Sequence, residues 1–468
     1  MLLRYFFDEN LAHASYMVGC QATGEAIIID PSRDITPYLK AAKAEGLNII
    51  AGAETHIHAD FVSGSRELAN DCQAELFLSD EGGDGWSYKN QNNKTRYLKD
   101  GDEFNIGNIF FEVMHSPGHT PESLSFILTD KGDGATQPMG IFTGDFVFVG
   151  DVGRPDLLEK AADEVGAADE GARTMYHSLK KFKELPDHLQ VWPAHGAGSA
   201  CGKALGSVPS STVGYEKLFN KALSYNNEED FVQALLKGQP EPPKYFGIMK
   251  KINKEGPILL DDLGFPKEIP TEQLQELLNE EAQILDTSSY KKFADKHIQG
   301  TINIPYAYKQ FLTWAGWLID YDKPLYLLAD PNHIENIVHS LRSIGIDQLE
   351  GYVDIKSALN GDFLFESYKN EEPSKINQEV KENKVHLIDV RNQSEWEEGS
   401  IPGARHIMLG TIPYRLKEIP IDKPIVLHCR TGIRSAIGAS VLQAKGIKNV
   451  INLSGGYHQW RNDVGVIV

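Results

Sequence analysis

The chain has 468 residues, enough for two to four domains that each bury a core, so a single small module is excluded. It carries 46 Lys and Arg against 66 Asp and Glu, a formal net charge of −20; such a chain repels phosphate backbones and anionic lipid, which turns the expectation from nucleic acid and membrane surfaces toward small-molecule chemistry. With 41% hydrophobic residues, 42 Gly and 23 Pro, the composition is that of a loop-rich globular protein, and no apolar run approaches the roughly 18 residues of a membrane span.

The opening Met1–Asn10 places acidic residues directly after a short apolar patch and lacks an apolar core and cleavage site, so no export signal is expected. Short apolar or alternating runs at Glu25–Asp30, Asn48–Gly52, Ala74–Ser79, Ile109–His115, Leu124–Thr129, Ile141–Gly144 and Leu189–Pro193 predict strands, with helices over Ile35–Glu45 and Ser63–Asn70. This is a mixed α/β pattern. The Pro-rich stretch Gly238–Tyr245, followed by Pro257 and Pro266, predicts a first domain over 1–245 and a linker over 246–264.

Beyond it the chain repeats itself. Ile284-Leu-Asp286 recurs as Leu387-Ile-Asp389, Ile298-Gln-Gly300 as Ile401-Pro-Gly403, Lys323-Pro-Leu-Tyr-Leu-Leu-Ala329 as Lys423-Pro-Ile-Val-Leu-His-Cys429, and Ser343-Ile-Gly-Ile346 as Ala444-Lys-Gly-Ile447. Two copies of one domain are expected, over 265–370 and 375–468, each alternating strand and helix as a parallel sheet covered on both faces does.

Chemistry concentrates at strand ends. His56 and His58 leave a strand at i and i+2; Ser116-Pro-Gly-His119-Thr places a histidine in a tight turn; Thr143-Gly-Asp145 places a carboxylate at another strand end; Trp192-Pro-Ala-His195-Gly adds a fourth turn. Each alone reads as a hydrogen-bonded structural residue, but four in order at one sheet edge make a metal site the stronger reading. The order His-x-His-x-Asp, Pro-Gly-His-Thr, Gly-Asp, Ala-His-Gly resembles the metallo-β-lactamase superfamily over nearly all of residues 1–240, which implies an αββα sandwich. Its binuclear hydrolases, glyoxalase II among them, carry a further histidine where this chain has Phe61, so the second metal position is damaged. Two metals suit hydrolysis, whereas two His and one carboxylate with open positions suit non-haem Fe(II) and O2.

Gly144-Asp-Phe-Val-Phe-Val-Gly-Asp-Val-Gly-Arg-Pro-Asp156 is similar to the Gly-Arg-x-Asp stretch of the persulfide dioxygenases. The resemblance implies one Fe(II) per chain on His56, His119 and Asp145, with His58, Asp60 and His195 orienting ligands or substrate from behind. Arg154 would face the substrate, or anchor its loop through Asp151 or Asp156. His115 is read as a strand residue, and His13, His177 and His188 are assigned no role.

Of the four cysteines, Cys20, Cys72, Cys201 and Cys429, none forms a CxxC pair, which fits reduced thiols in a cytoplasmic protein. Cys429 ends a predicted buried strand and is followed by Arg430-Thr-Gly-Ile-Arg434-Ser435 and a helical pattern, a cradle in which loop amides, a helix N-terminus, Arg430 and Arg434 would stabilise a thiolate. A cysteine phosphatase has five residues between Cys and Arg; here there are four. The loop, with Leu387–Arg391 and Gly455-Gly-Tyr-x-x-Trp460, resembles an active rhodanese. The first copy has Ala329-Asp-Pro-Asn-His333 in place of that loop, so it is read as a silent rhodanese-like domain. Cys201, in the glycine-rich run Gly196–Gly202 after His195, is read as a buried filler or as a second catalytic thiol at the mouth of the iron pocket.

The whole resembles a persulfide dioxygenase–rhodanese fusion of sulfide detoxification. It implies a low-molecular-weight thiol persulfide and O2 as substrates, sulfite and thiosulfate as products, and sulfur transfer through Cys429; a homo-oligomer is compatible. The rivals are a binuclear thioesterase of the glyoxalase II type and a sulfur carrier without dioxygenase activity.

Overall fold

A computed structural model describes residues 1–89, 94–157, 166–203, 205–239, 241–465 and 467–468. The chain forms two compact units, one of residues 1–264 with 342–345, the other of 265–341 with 346–468.

The first unit contains two six-stranded sheets. One holds β1 (Leu2–Asp8), β2 (His13–Cys20), β3 (Glu25–Ile29), β4 (Asn48–Ala53), β5 (Glu75–Ser79) and β6 (Thr95–Leu98) side by side in that order. The other holds β7 (Glu103–Ile106), β8 (Ile109–His115), β9 (Leu124–Asp130), β10 (Gly140–Gly144), β11 (Gln190–Pro193) and β12 (Ser211–Thr212), again in chain order. Alternation sorts their side chains. Val18, Ile27, Ile29, Ala51 and Phe77 face Phe104, Phe111, Phe126 and Phe142 in the core between the sheets. On the outer faces, Met17, Ala26, Ile28 and Ile49 pack under the helix Thr36–Glu45, and Ile127, Ile141 and Val191 under the helix Ala167–Glu184. This is the expected αββα sandwich.

The strands predicted from Glu25 to Pro193 form, but the predicted elements do not include β1, β2, β6, β7, β12 or the long helix Ala167–Glu184. β2 is buried along its whole length and so shows no two-residue alternation. The helix does carry a readable period, with Ala168, Ala172, Met175, Leu179 and Phe182 on its buried face.

The stretch 246–264, expected as a linker, is largely folded into the first unit. Tyr245–Glu255 is a helix that buries Tyr245, Phe246, Met249 and Asn253. Its Pro-rich approach suggested open chain, but apolar residues at i, i+1 and i+4 supply a face to bury.

In the second unit the two copies share one strand order. β13 (Lys267–Glu268), β14 (Gln283–Asp286), β15 (His297–Ile298), β16 (Ile302–Asn303), β17 (Leu325–Ala329), β18 (Leu349–Asp354) and β19 (Phe365–Glu366) belong to the first copy, whose main sheet runs β13-β18-β17-β14-β16. β20 (Lys369–Glu371), β21 (His386–Asp389), β22 (Arg405–His406), β23 (Ile425–His428) and β24 (Val450–Leu453) form the second as β20-β24-β23-β21-β22. All pairings in both five-stranded sheets are parallel. Among the described residues no helix is long and apolar enough to cross a membrane.

Candidate functional site

The first site lies where β3, β4, β10 and β11 end. Asp30 follows β3, Glu54 to His58 follow β4, Asp145 follows β10 and His195 follows β11, while His119 sits on the turn between β8 and β9. Gly144 permits the close approach: its φ is +52°, and a Cβ there would lie 2.3 Å from Thr55 Oγ1.

His56, His119 and Asp145 converge, one donor atom from each lying within 4.8 Å of the others. His119 Nε2 is 3.4 Å and His56 Nε2 4.0 Å from Asp145 Oδ2. Hydrogen bonds fix both rings. His119 Nδ1 donates to the Arg154 carbonyl at 2.9 Å. Thr55 Oγ1 gives its proton to Asp30 at 2.9 Å and therefore accepts from His56 Nδ1 at 3.0 Å. Each Nε2 thus presents a lone pair toward Asp145. Burial pushes His56 well below the usual histidine range, helped by neighbouring His58, and lowers His119 against the pull of Asp145, so both rings are neutral as ligands must be. Neither Asp145 oxygen accepts a hydrogen bond among the described residues, although the side chain is buried. Two neutral imidazoles and a buried, unsatisfied carboxylate are a donor set that fits a divalent metal.

His58, two residues on, points elsewhere. Its Nε2 lies 3.1 Å from both Asp30 Oδ1 and Glu54 Oε2. Burial opposes its charge, but Asp30 and Glu54 outweigh it and hold His58 well above the usual histidine range. It is a buried cation clamped by two carboxylates. Glu54 is held in turn by the hydroxyls of Ser63 and Ser65. Asp30 and Glu54 escaped the sequence reading because single acids at strand ends carry no signal there; the positive φ of Asp30, +51°, marks it only in the structure.

Asp60, His195 and Cys201 form a second donor cluster. His195 Nε2 is 3.2 Å from Asp60 Oδ2 and 3.5 Å from Asp145 Oδ1, while its Nδ1 pairs with the Ala12 carbonyl at 2.9 Å. Burial opposes protonation of His195, and Asp145 with Asp60 overcome it, so it is held well above its usual range. Phe61 is buried with its ring centroid 3.9 Å from that of His13 and 4.5 Å from that of His58. His13, given no role in advance, belongs to this histidine cluster, and burial followed by His195 and His58 keeps it uncharged.

Two expectations fail here. Arg154 does not face substrate: it is fully buried and forks onto Asp156 with two 2.7 Å bonds. Its task is to anchor the loop whose carbonyl orients His119, the alternative role weighed for it. Cys201 is not at an open mouth. It is 2% exposed, and burial, with Asp145 and Asp60 adding to it, pushes its thiol up to about 12; a thiol so protonated is a weak nucleophile.

Asn253, in the helix that replaced the expected linker, was also missed. Its Oδ1 accepts from Ser63 N–H at 2.9 Å, and its Nδ2 donates to the carbonyls of His58 and Phe61 at 2.8 and 2.7 Å. One side chain therefore pins the 58–63 loop.

The second site surrounds Cys429 at the end of β23. The Gly432 N–H donates to Cys429 Sγ at 3.1 Å, and Ser435 Oγ lies 3.5 Å away. Gly432 has φ +103° and caps the helix Ile433–Ala444, which begins directly above the sulfur. Arg434 is bound through both Nη atoms to Glu395, at 2.6 and 2.8 Å, and Arg430 Nε lies 3.0 Å from His458 Nε2. Arg434 is therefore neutralised by a partner, and Arg430 is the exposed cation of the loop.

A cluster of candidate metal ligands at one edge of an αββα sandwich points to the metallo-β-lactamase class. A family profile described as the metallo-beta-lactamase superfamily matches residues 9–195, and one described as a rhodanese-like domain matches 372–463. The chain belongs to the metallo-beta-lactamase superfamily, with persulfide dioxygenase homologues at its N-terminal part and a rhodanese-like domain at its C-terminal part. It is 30% identical over 236 residues to the mitochondrial persulfide dioxygenase ETHE1 of Mus musculus, covering 49% of this chain and 78% of that protein. The Bos taurus protein of the same name is 29% identical, over 52% of this chain and 84% of its own. A crystal structure of a metallo-beta-lactamase from Staphylococcus aureus is 44% identical with a TM-score of 0.68, covering 75% of this chain and 98% of that one.

Proposed function

We propose that the chain is a non-haem Fe(II) persulfide dioxygenase joined to a sulfurtransferase, with one iron on His56, His119 and Asp145. The observation that carries this is the pairing of two neutral, oriented imidazoles with an unsatisfied Asp145 carboxylate; the resemblance places a further histidine of the binuclear hydrolases where this chain has Phe61. The overall step is R–S–SH + O2 + H2O → R–SH + SO3²⁻ + 2H⁺, in which the terminal sulfur is oxidised and O2 reduced. Iron(II) held there would supply the redox chemistry that brings oxygen to that sulfur.

The chain's own residues set the conditions. Asp145 contributes one negative charge against the two of the metal, leaving net attraction for an anionic persulfide. Asp30 orients His56 through Thr55, and Arg154 orients His119 through its carbonyl. Phe61 and Phe148 set aromatic rings beside His58 and His195.

Sulfur transfer falls to Cys429, whose persulfide passes its outer sulfur to sulfite and makes thiosulfate. Covalent linkage of the two activities raises the effective concentration of sulfite.

The binuclear thioesterase has the Asp60, His195 and Cys201 cluster in its favour. Against it, Phe61 stands where the resemblance places the further histidine of the binuclear hydrolases.

Metal analysis with O2 uptake on a panel of persulfides tests the proposal. One iron per chain and persulfide-dependent O2 consumption are expected, both lost in His119→Ala with Cys429-dependent sulfur transfer intact. Two zinc per chain with thioester hydrolysis, or cyanide-dependent sulfur transfer without O2 uptake, would overturn it.

A further inference from the structure

The helix Ala167–Glu184 carries two kinds of cation. Arg173 meets Asp169, Glu228 and Glu229 at 2.7, 3.3 and 3.0 Å, His177 lies 3.4 Å from Glu228, and Lys181 lies 3.4 Å from Asp100. Lys180 and Lys183 have no ion-pair partner among the described residues. In a chain with a net charge of −20, two neighbouring lysines left without an acid stand out against the helix's other cations.

Both lysines open into one cavity of about 270 Å³ in the first unit. Tyr176 and Leu179 line it with them from the helix, and Tyr225 and Asn226 close it from the segment that follows the short turn Lys221–Ser224. Among the described residues no carboxylate lines it. Lys180 Nζ rests 4.5 Å from the centroid of the Tyr176 ring, and Tyr176 Oη donates to the Asn226 carbonyl at 2.8 Å, so the floor of the cavity also ties its two walls together.

Residues three apart on a helix are neighbours, which sets two ammonium groups side by side. Lys183 is half-buried, and burial followed by the charge of Lys180 holds it below the usual lysine range. A shared anion would relieve both effects, because each ammonium group then gains a counter-charge in a recess that focuses the field. Tyr225 and Asn226 bring a hydroxyl and an amide that can donate as well. With each water filling about 30 Å³ of liquid, the cavity takes a compact polyatomic ion with part of its hydration, while cofactor-sized ligands need roughly 300 Å³ or more. We propose that this cavity binds a small oxyanion of two negative charges, a phosphate or a sulfur oxyanion, between Lys180 and Lys183.

The cavity shares no residue with the metal or Cys429 sites, but it shares a helix with the first. Ser178 Oγ donates to the Pro117 carbonyl at 2.7 Å, and Gly118 packs so tightly on Met175 that a Cβ there would lie 2.6 Å from the Met175 Cα. The helix thus backs the turn that carries His119, and an anion bridging Lys180 and Lys183 to Tyr225 and Asn226 fastens it on a neighbouring face.

The test titrates the full chain with sodium phosphate, sulfate and thiosulfate by calorimetry at fixed ionic strength, with chloride as the control. Saturable binding of at least one of the three is expected. Lys180→Met and Lys183→Met should each weaken it about tenfold, the loss expected for one charge-assisted hydrogen bond, and Lys181→Met, whose side chain pairs with Asp100, should leave it unchanged. Tighter binding of phosphate than of sulfate identifies a phosphoryl ligand, and the reverse a sulfur oxyanion. The bound anion should also shield Lys180 and Lys183, and not Lys181, from acetylation by an N-hydroxysuccinimide ester, as read by mass spectrometry. Binding no stronger than that of chloride, or binding that Lys180→Met and Lys183→Met both leave intact, would overturn the proposal.

Discussion

Replacing Asn253 with Ala isolates the contribution of the helix Tyr245–Glu255 to the metal centre. The side chain is buried and touches no ligand, yet it makes three hydrogen bonds to the loop that follows His56. Truncation leaves the Ser63 N–H and the His58 and Phe61 carbonyls without their partner. At about 1 kcal/mol for each bond, with the buried N–H costing up to roughly 2 more, the loss should come to about 3–5 kcal/mol. Because the freed loop carries His58 and Asp60, metal affinity should also fall, by about tenfold. Urea unfolding of the intact chain, with metal content after dialysis against a graded chelator, reads both. A stability change below about 0.5 kcal/mol with unaltered metal retention would refute the view that this helix fastens the loop.

The repeat supplies a second prediction. Asp286, at the end of β14, has no ion-pair partner among the described residues, and burial pushes its carboxyl up to about 6 against the hydrogen bonds from Ser288 and Asn303. A raised carboxyl contributes stability that is full below its unfolded value near 4 and lost as pH rises through about 6, here by about 3 kcal/mol. Asp286→Asn should therefore raise the thermal midpoint of the second unit at pH 8 and leave it unchanged near pH 4; an equal effect at both pH values would contradict this. The equivalent Asp389 behaves in the opposite way, since His428 and Arg391 outweigh burial and hold it below the usual carboxylate range. Cys429→Ser should abolish cyanide-dependent sulfur transfer, keep the metal content, and shift the product of persulfide oxidation from thiosulfate to sulfite, as read by ion chromatography. Mass spectrometry of wild-type protein treated with persulfide should find added sulfur on Cys429 and none on Cys201, whose buried thiol stays protonated.

Much of this was legible without coordinates because the evidence is local. A strand followed by His-x-His, Pro-Gly-His, Gly-Asp or Cys-Arg-Thr-Gly declares a functional turn within a few residues, and an internal repeat shows itself by comparison of the chain with itself. Those signals were enough for a mixed α/β first half, the shared architecture of the two copies and the turns that carry the chemistry, and the sandwich followed from the family those turns resemble. What the tertiary structure alone decided is which partners those turns meet. His56 and His58 are two residues apart and nearly the same in sequence terms, yet one is a neutral imidazole aimed at Asp145 and the other a cation held by Asp30 and Glu54. Arg154 became a loop anchor because Asp156 lies in reach of its Nε and one Nη, and Cys201 is a buried thiol that burial and two acids hold protonated against the pull of His195. Protonation state and orientation depend on burial and on charges a few ångströms away, contributed by residues far apart in the chain, and only folding brings those residues together.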